Sequence, residues 1–157
     1  MLVWFFRHVV GPLYFNEVKF CLSGDSYKYL YANYKTSWCR EPYLGLSSFV
    51  IRREISRLRL SSHLLAVETG GWLNVNRNER LCVLCNTNNI EDEYHFVLIC
   101  TKFNELRKRY IKRYYWLRPS VAKFCELMSN SGKGVLLNLA KYLVTANKER
   151  LKSMAVL

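Results

Sequence analysis

Glycine and proline are scarce in this sequence, which has seven glycines and three prolines among 157 residues. A β-sandwich rich in loops needs turn residues of these two kinds, so their scarcity favours helices. Acidic residues are also few, with 12 Asp and Glu against 24 Lys and Arg and a formal net charge of +12. A basic excess of this size fits a polyanionic partner, an anionic membrane surface, or solubility alone.

Long apolar runs are missing as well. No stretch approaches the roughly 20 apolar residues that a membrane-spanning helix needs, so we expect no membrane partner. The first ten residues, "MLVWFFRHVV", lack the positively charged start of a secretory signal peptide. Arg7 also interrupts their apolar run after only six residues. We therefore expect an intracellular protein of the nucleus or cytoplasm, where clustered cysteines bind metal more often than they form disulfides.

Helical periodicity dominates the rest of the chain, so we expect a mainly α fold, a small helical domain. The first clear helix is predicted over 47–68, between a serine cap and the stop signal Gly70-Gly71. Its inward stripe is Ile51, Ile55, Leu58, Ser62 and Leu65, which is apolar except at Ser62. A second apolar strip that we expect to be covered is Leu60, Leu64 and Val67.

A longer amphipathic helix is predicted over 89–117, with Asn89 as its N-cap and the acidic Glu91 and Asp92 in its first turn. Its apolar stripe is Ile99, Phe103, Leu106, Tyr110, Tyr114 and Leu117. Tyr115 and Trp116 lie off that stripe, so these two aromatic side chains are the ones expected to face solvent.

Two further helices are predicted, a short one around 120–129 and a final one from about 135 to 152. The final helix has its stripe at Val135, Leu139, Tyr142, Leu143 and Ala146. The expected organisation has three parts. An aromatic N-terminal segment over 1–46 is expected to be the edge of a larger protein, a helical module covers 47–128, and the helix in 129–157 packs on that module.

Four potential metal ligands lie within nineteen residues. Cys82, Cys85, His95 and Cys100 follow the pattern C-x2-C-x9-H-x4-C. A two-residue gap lets both thiolates of a tight turn reach one ion, and zinc prefers four nitrogen or sulfur ligands in a tetrahedron. Because all four positions are protein ligands, none is left for an activated water, and we expect a structural Zn²⁺ site.

One geometric observation counts against this site. Residues five apart on an ideal α-helix differ in direction by about 140°, so the first turn must be distorted or the ion must lie over the helix flank. The alternative interpretation is that His95 and Cys100 pack in a small core, unrelated to Cys82 and Cys85.

The other cysteines, Cys21, Cys39 and Cys125, are scattered and are interpreted as small core residues.

Basic residues are concentrated directly after the cluster, in "RKRYIKR" at 107–113, and again in the first predicted helix. Such a run is often only a solvated helix face. The alternative is a surface that contacts nucleic-acid phosphates. The candidate contacts are Arg107, Lys108, Arg109, Lys112 and Arg113, with Arg52, Arg53, Arg57 and Arg59.

A family resemblance covers about half of the chain, residues 49–128. The stretches "ISRLRLSSHLLAVETGGW" and "RNERLCVLCNTNNIEDEYHFVLICTKFNELRKRYIKRYYWLRPSVAKFCEL" resemble the zinc-binding region that follows the polymerase domain in reverse transcriptases of non-LTR retrotransposons. The resemblance implies that Cys82, Cys85, His95 and Cys100 are zinc ligands and that Glu91 and Asp92 form an acidic entry to them.

The same resemblance implies an accessory module of a mobile-element protein that associates with RNA or DNA. No polymerase aspartate pair, endonuclease carboxylate cluster or nucleophile set is recognisable among its residues, so no enzymatic activity is expected. Two alternatives remain, namely a protein-interaction fragment that docks on a reverse transcriptase body and a mobile-element remnant without a function. The sequence does not distinguish RNA from DNA.

Overall fold

The computed structural model describes residues 40–155, and the predictions for the aromatic segment before residue 40 lie outside that range. The described part is mainly helical, as expected, and its only β pairing is an isolated bridge between Leu81 and Ile90. None of the helices in this range has the length and apolar character for crossing a membrane. The α-helices are α1 (Phe49–Arg59), α2 (Ala66–Trp72), α3 (Asn104–Tyr110), α4 (Arg113–Trp116), α5 (Val121–Ser129) and α6 (Lys133–Met154).

Shorter helical turns connect these helices. Turns of the 3-10 type lie at Pro42–Gly45, Arg77–Glu79 and Thr101–Phe103, and a π-helical turn lies at His95–Ile99. The long α6 packs against both α1 and α3 and forms the centre of the core. Its inward side chains Leu139, Tyr142, Leu143 and Ala146 are buried as predicted, and α5 confirms the short helix expected at 120–129.

The first predicted helix is too long, because α1 ends at Arg59 instead of continuing to residue 68. Ser61 adopts a left-handed conformation with φ of 49°. The Ser62 amide then donates to the Arg57 carbonyl at 2.8 Å, which closes the helix end in a Schellman-type turn. Leu60, at the end of α1, and Leu64, after the turn, are both exposed, so the prediction that these two are covered was wrong.

The glycine pair does not stop a helix but lies inside one, near the end of α2. The side chain of Arg80 crosses α2 and donates to the carbonyls of Val67 at 2.8 Å and Val75 at 2.7 Å. A Cβ atom added to Gly70 would lie 2.7 Å from Cγ of Arg80, whereas one added to Gly71 would come no closer than 3.4 Å. Glycine at position 70 is therefore explained by the close approach of the arginine.

The predicted helix over 89–117 is also not continuous. The backbone passes through the π-helical turn and a 3-10 turn before α3, and it becomes extended at Ile111 before α4. This break moves Ile111 and Tyr115 into the core. Tyr115 is 4% exposed while Tyr114 is 56% exposed, the reverse of the prediction from an unbroken helix. Trp116 is half-buried, and its Nε1 donates to the Ile111 carbonyl at 2.9 Å.

We predict opposite effects for alanine at the two neighbouring glycines. Gly70→Ala should lower the free energy of unfolding by about 1–3 kcal/mol, because the new methyl group displaces Arg80 from the carbonyls that it binds. Gly71→Ala has room for its methyl group and gains about 0.5–1 kcal/mol of helix propensity, so it should be neutral or stabilising. Urea denaturation of both variants measures the difference, and equal effects would contradict the proposed packing of Arg80.

Candidate metal centre

Cys82 and Cys85 lie within a narrow hairpin. The Cys82 amide donates to the Asn89 carbonyl at 2.9 Å, and the Glu91 amide donates to the Arg80 carbonyl at 2.9 Å. Asn88 takes a left-handed conformation with φ of 51°, which Asn tolerates better than most residues, and this allows the chain to reverse.

His95 and Cys100 come from a helical turn of π type. Asp92 caps this turn, since its Oδ1 accepts a hydrogen bond from the His95 amide at 2.8 Å. The predicted cap, Asn89, lies in the hairpin instead. At the other end, the Cys100 amide donates to the His95 carbonyl at 2.7 Å, a bond between residues five apart. This is the local distortion that residues with x4 spacing need in order to face the same point.

The four side chains converge. Their ligand atoms all lie within 4.8 Å of one another, and all four residues are buried. The Sγ atoms of Cys82 and Cys100 are 3.9 Å apart, and Sγ of Cys85 lies 3.3 Å from Nε2 of His95. The cysteines are free thiols. Together, the three thiols and one imidazole form a cluster that could hold a metal ion.

The electrostatics of the cluster favour a thiolate. The hydrogen bond with Cys100 holds the pKa of the Cys82 thiol well below its ordinary value. That same bond, together with burial, raises the pKa of the Cys100 thiol. Thr87 lies beside the third sulfur, with its Oγ1 3.1 Å from Sγ of Cys85. Since the thiolate is the form that binds metal, one ligand of the cluster already prefers its binding form.

The acidic entry before His95 is not a group of free carboxylates. Glu91 is buried and accepts two hydrogen bonds from Arg150, at 2.7 and 2.8 Å, and one from the Ala66 amide at 2.8 Å. Glu93 is buried and accepts from Ser61 at 2.8 Å. Glu91 therefore neutralises the start of α2, and not the first turn of its own helix as predicted.

Glu93 has a second partner in His63, whose Nε2 lies 2.9 Å from its carboxylate. Burial by itself would raise the pKa of Glu93. The hydrogen bond and the charge of His63, with the bond from Ser61, outweigh burial and leave this pKa lowered. Glu93 thus remains a carboxylate in the interior and ties the segment after α1 to the start of the π-helical turn.

Two buried side chains bind the carbonyls of the π-helical turn. The Phe96 carbonyl, which would accept from Cys100 in an α-helix, accepts from the hydroxyl of Tyr142 at 2.6 Å. Arg107 donates from Nε to the Val97 carbonyl at 2.9 Å and from a terminal nitrogen to the Cys100 carbonyl at 2.8 Å. Through these contacts the π-helical turn is held directly by α3 and α6.

This position does not fit the prediction that Arg107 contacts phosphates, because the residue is 3% exposed. Arg59 does not fit it either. Its side chain is 4% exposed, forms an ion pair with Glu41, donates to the Met128 carbonyl, and lies over the ring of Tyr43. Both arginines are buried, and both donate hydrogen bonds to backbone carbonyls inside the domain.

The other predicted cations are nearer to the surface. Arg52 is half-buried and donates to the carbonyls of Leu46 and Ser47. Arg53 and Arg57 are exposed beside the carboxylate of Glu54. Of the predicted cations that follow the cysteine–histidine cluster, the exposed ones are Lys108, Arg109, Lys112 and Arg113. Of these four, Lys108 forms an exposed ion pair with Glu105 at 2.7 Å, which is a weak kind of interaction.

No protein-family model, curated protein or solved structure matches this chain. The resemblance to the reverse transcriptase region therefore rests on the motif itself. The sequence did not reveal the supporting residues Arg107, Tyr142 and Arg150. An arginine in a basic run and a tyrosine on an apolar stripe give no sign that their polar ends bind a particular carbonyl or carboxylate.

We predict that Arg107→Lys destabilises the protein even though it keeps the charge. A lysine cannot bind the carbonyls of Val97 and Cys100 together in the fixed geometry of a guanidinium. At least one buried hydrogen bond to a charged group should be lost, lowering the free energy of unfolding by about 2 kcal/mol or more. The matched control Arg109→Lys lies at the surface and should change stability by less than about 0.5 kcal/mol. Similar values in urea denaturation would contradict the role given to Arg107.

Proposed function

We propose that this chain is a non-catalytic accessory module with a structural zinc site, and that it binds RNA or DNA mainly through phosphates. The observation that carries the proposal is the convergence of Cys82, Cys85, His95 and Cys100 in one buried cluster beside a basic helix. The motif resemblance to the zinc-binding region of non-LTR reverse transcriptases points to the same function. Nucleus and cytoplasm are reducing settings in which these thiols stay available.

Zinc fits the donor set and its spacing. Zn²⁺ takes four nitrogen or sulfur ligands, and Zn–S bonds of about 2.3 Å in a tetrahedron place two sulfurs roughly 3.8 Å apart. The separation of 3.9 Å between the sulfurs of Cys82 and Cys100 agrees with this value. Three thiolates and a neutral imidazole exclude the hard ions Mg²⁺ and Ca²⁺, which prefer oxygen ligands. Bound zinc would supply a structural cross-link between the hairpin and the π-helical turn.

The proposed contact surface consists of the four exposed cations Lys108, Arg109, Lys112 and Arg113. The cluster and this surface are physically connected, because Arg107 lies on α3 together with Lys108 and Arg109 and donates to the carbonyl of the proposed ligand Cys100. If the π-helical turn is held in place, the start of α3 is therefore held in place with it. Phosphate contacts carry little sequence information, so we expect binding that is broad and strongly dependent on salt.

We predict that about one equivalent of zinc copurifies with the chain. Cys82→Ser should abolish most of the zinc content and unfold the region around 80–100, because a small metal module folds around its ion. Elemental analysis and circular dichroism of the purified variants measure both effects. Cys125→Ser is the matched control, since this thiol lies outside the cluster and its loss should leave the zinc content unchanged. An unchanged spectrum after complete chelation would refute the zinc staple.

We predict a salt dependence that reports the four cations. If each neutralises one phosphate, the plot of log K against log salt should have a slope of roughly −2.8 on single strands and −3.6 on duplex. The triple change of Lys108, Arg109 and Lys112 to alanine should make the slope shallower by about two to three units and keep the zinc content. Titration of labelled single-stranded and duplex probes at several salt concentrations gives these slopes.

A matched triple change serves as the control for this experiment. Lys133, Lys141 and Lys148 are exposed cations of α6, outside the proposed contact surface. Changing these three to alanine removes the same charge and should leave most of the slope in place. Equal losses in both triple variants would show that binding depends on net charge alone, and an unchanged slope in the first would show that residues 108–113 are only a solvated face.

A further inference from the structure

A second surface lies between α1 and α6. There a groove of about 470 Å³ includes none of the four metal-binding residues. Aliphatic side chains form much of its exposed wall, with Val50, Leu64 and Leu151 being 42%, 55% and 55% exposed. Aliphatic surface left open in a concave site is typical of a place where another chain packs.

The accessible charge of this groove is positive on both sides. Arg53 and Arg57 line it from α1, and Lys148 and Lys152 line it from α6, all four exposed. Among residues 40–155, the only acidic residue that lines it is Glu54, which is buried and accepts a hydrogen bond from Asn147 at 2.9 Å. Glu54 also lies beside both arginines, at 2.9 and 3.7 Å, so it offsets part of their charge. The two lysines have no such partner in the described contacts.

The spacing of these cations is regular. The two arginines are four residues apart on α1, and the two lysines are four residues apart on α6. Side chains at this spacing are neighbours on one helix face, about 5–6 Å apart. Each side of the groove therefore presents two positive charges one helical turn apart, with apolar side chains between the two sides. This arrangement complements a helix with an apolar stripe that has carboxylates on both flanks.

We propose that this groove binds an acidic amphipathic helix of a partner protein. Helix-in-groove recognition uses an apolar face at positions i, i+3, i+4 and i+7, which the aliphatic walls here can receive. A single nucleic-acid strand would instead need exposed aromatic rings for stacking bases. Among the described residues, the aromatic rings that line the groove are those of Phe96 and His63, which are 1% and 7% exposed. The proposal does not depend on nucleic-acid binding, because the groove shares no residue with the set Lys108, Arg109, Lys112 and Arg113.

Peptide display against the full-length chain tests this proposal. The library would hold random peptides of about 16 residues, or roughly 24 Å of helix. The double variant Lys148→Glu with Lys152→Glu serves for counter-selection. We expect enriched peptides to carry Asp or Glu on both flanks of an apolar stripe with helical spacing. Enriched peptides without acidic residues, or no enrichment over the counter-selected pool, would overturn the proposal.

Binding of the best enriched peptide, measured by fluorescence anisotropy, then locates the site. The Lys148→Glu, Lys152→Glu variant should bind at least about tenfold more weakly, because two attractive contacts become repulsive. The control variant Lys133→Glu, Lys141→Glu has the same charge change on the same helix outside the groove, and its affinity should stay within about twofold. The milder Lys148→Gln, Lys152→Gln variant should lie between these two values.

Two results would reject the groove as the peptide site. The first is equal weakening by the groove and control variants, which would indicate a nonspecific charge effect. The second is a single-stranded oligonucleotide that displaces the peptide and depends on the same two lysines, which would assign the groove to nucleic acid. Alanine at Lys108, Arg109 and Lys112 should leave the peptide affinity unchanged, so a failure of nucleic-acid binding and a failure of this proposal are distinguishable.

Discussion

The hydrogen bond from the Cys100 amide to the His95 carbonyl is the constraint on which the metal cluster depends. An α-helical bond would pair this amide with Phe96 and turn Cys100 about 140° away from His95. The longer closure, with its N···O distance of 2.7 Å, brings both side chains to the cysteine pair. It also leaves carbonyls that the turn itself does not satisfy. Tyr142 and Arg107 bind them, so the cluster has its geometry only when α3 and α6 are in place.

Buried charges hold the hairpin against the rest of the domain. The carboxylate of Glu91 accepts from Arg150 of α6 and from the first amide of α2, so one side chain fixes three segments. Such a pair adds little net stability, because desolvation of both charges offsets their attraction. Removing one partner is a different matter, since it leaves a lone buried charge at a cost of about 3–5 kcal/mol. The contribution of Glu91 is therefore to select this arrangement of the hairpin over others.

Periodicity and spacing predicted the parts of the structure that local pattern determines. The helix α6 is of this kind, and the C-x2-C-x9-H-x4-C spacing predicted which four residues converge, although their geometry depends on tertiary contacts. The breaks after Arg59 and at Ile111 were not predicted, because the apolar period continues across both. Tertiary contacts decide them: Ser61 binds Glu93 after the first break, and the core takes Ile111 and Tyr115 at the second. A run of arginines likewise does not tell which member lies inside, as Arg107 shows.

The burial of some arginines changes what the basic composition means. Arg59, Arg107 and Arg150 donate to carbonyls or buried carboxylates, so their charges hold elements together and are not available to a partner. The exposed cations include the 108–113 group on and after α3 and the pairs around the groove. The first group is coupled to the metal cluster through Arg107. The groove walls α1 and α6 pack on each other directly. A change that disrupts the cluster of Cys82, Cys85, His95 and Cys100 should therefore disturb the first surface before the second.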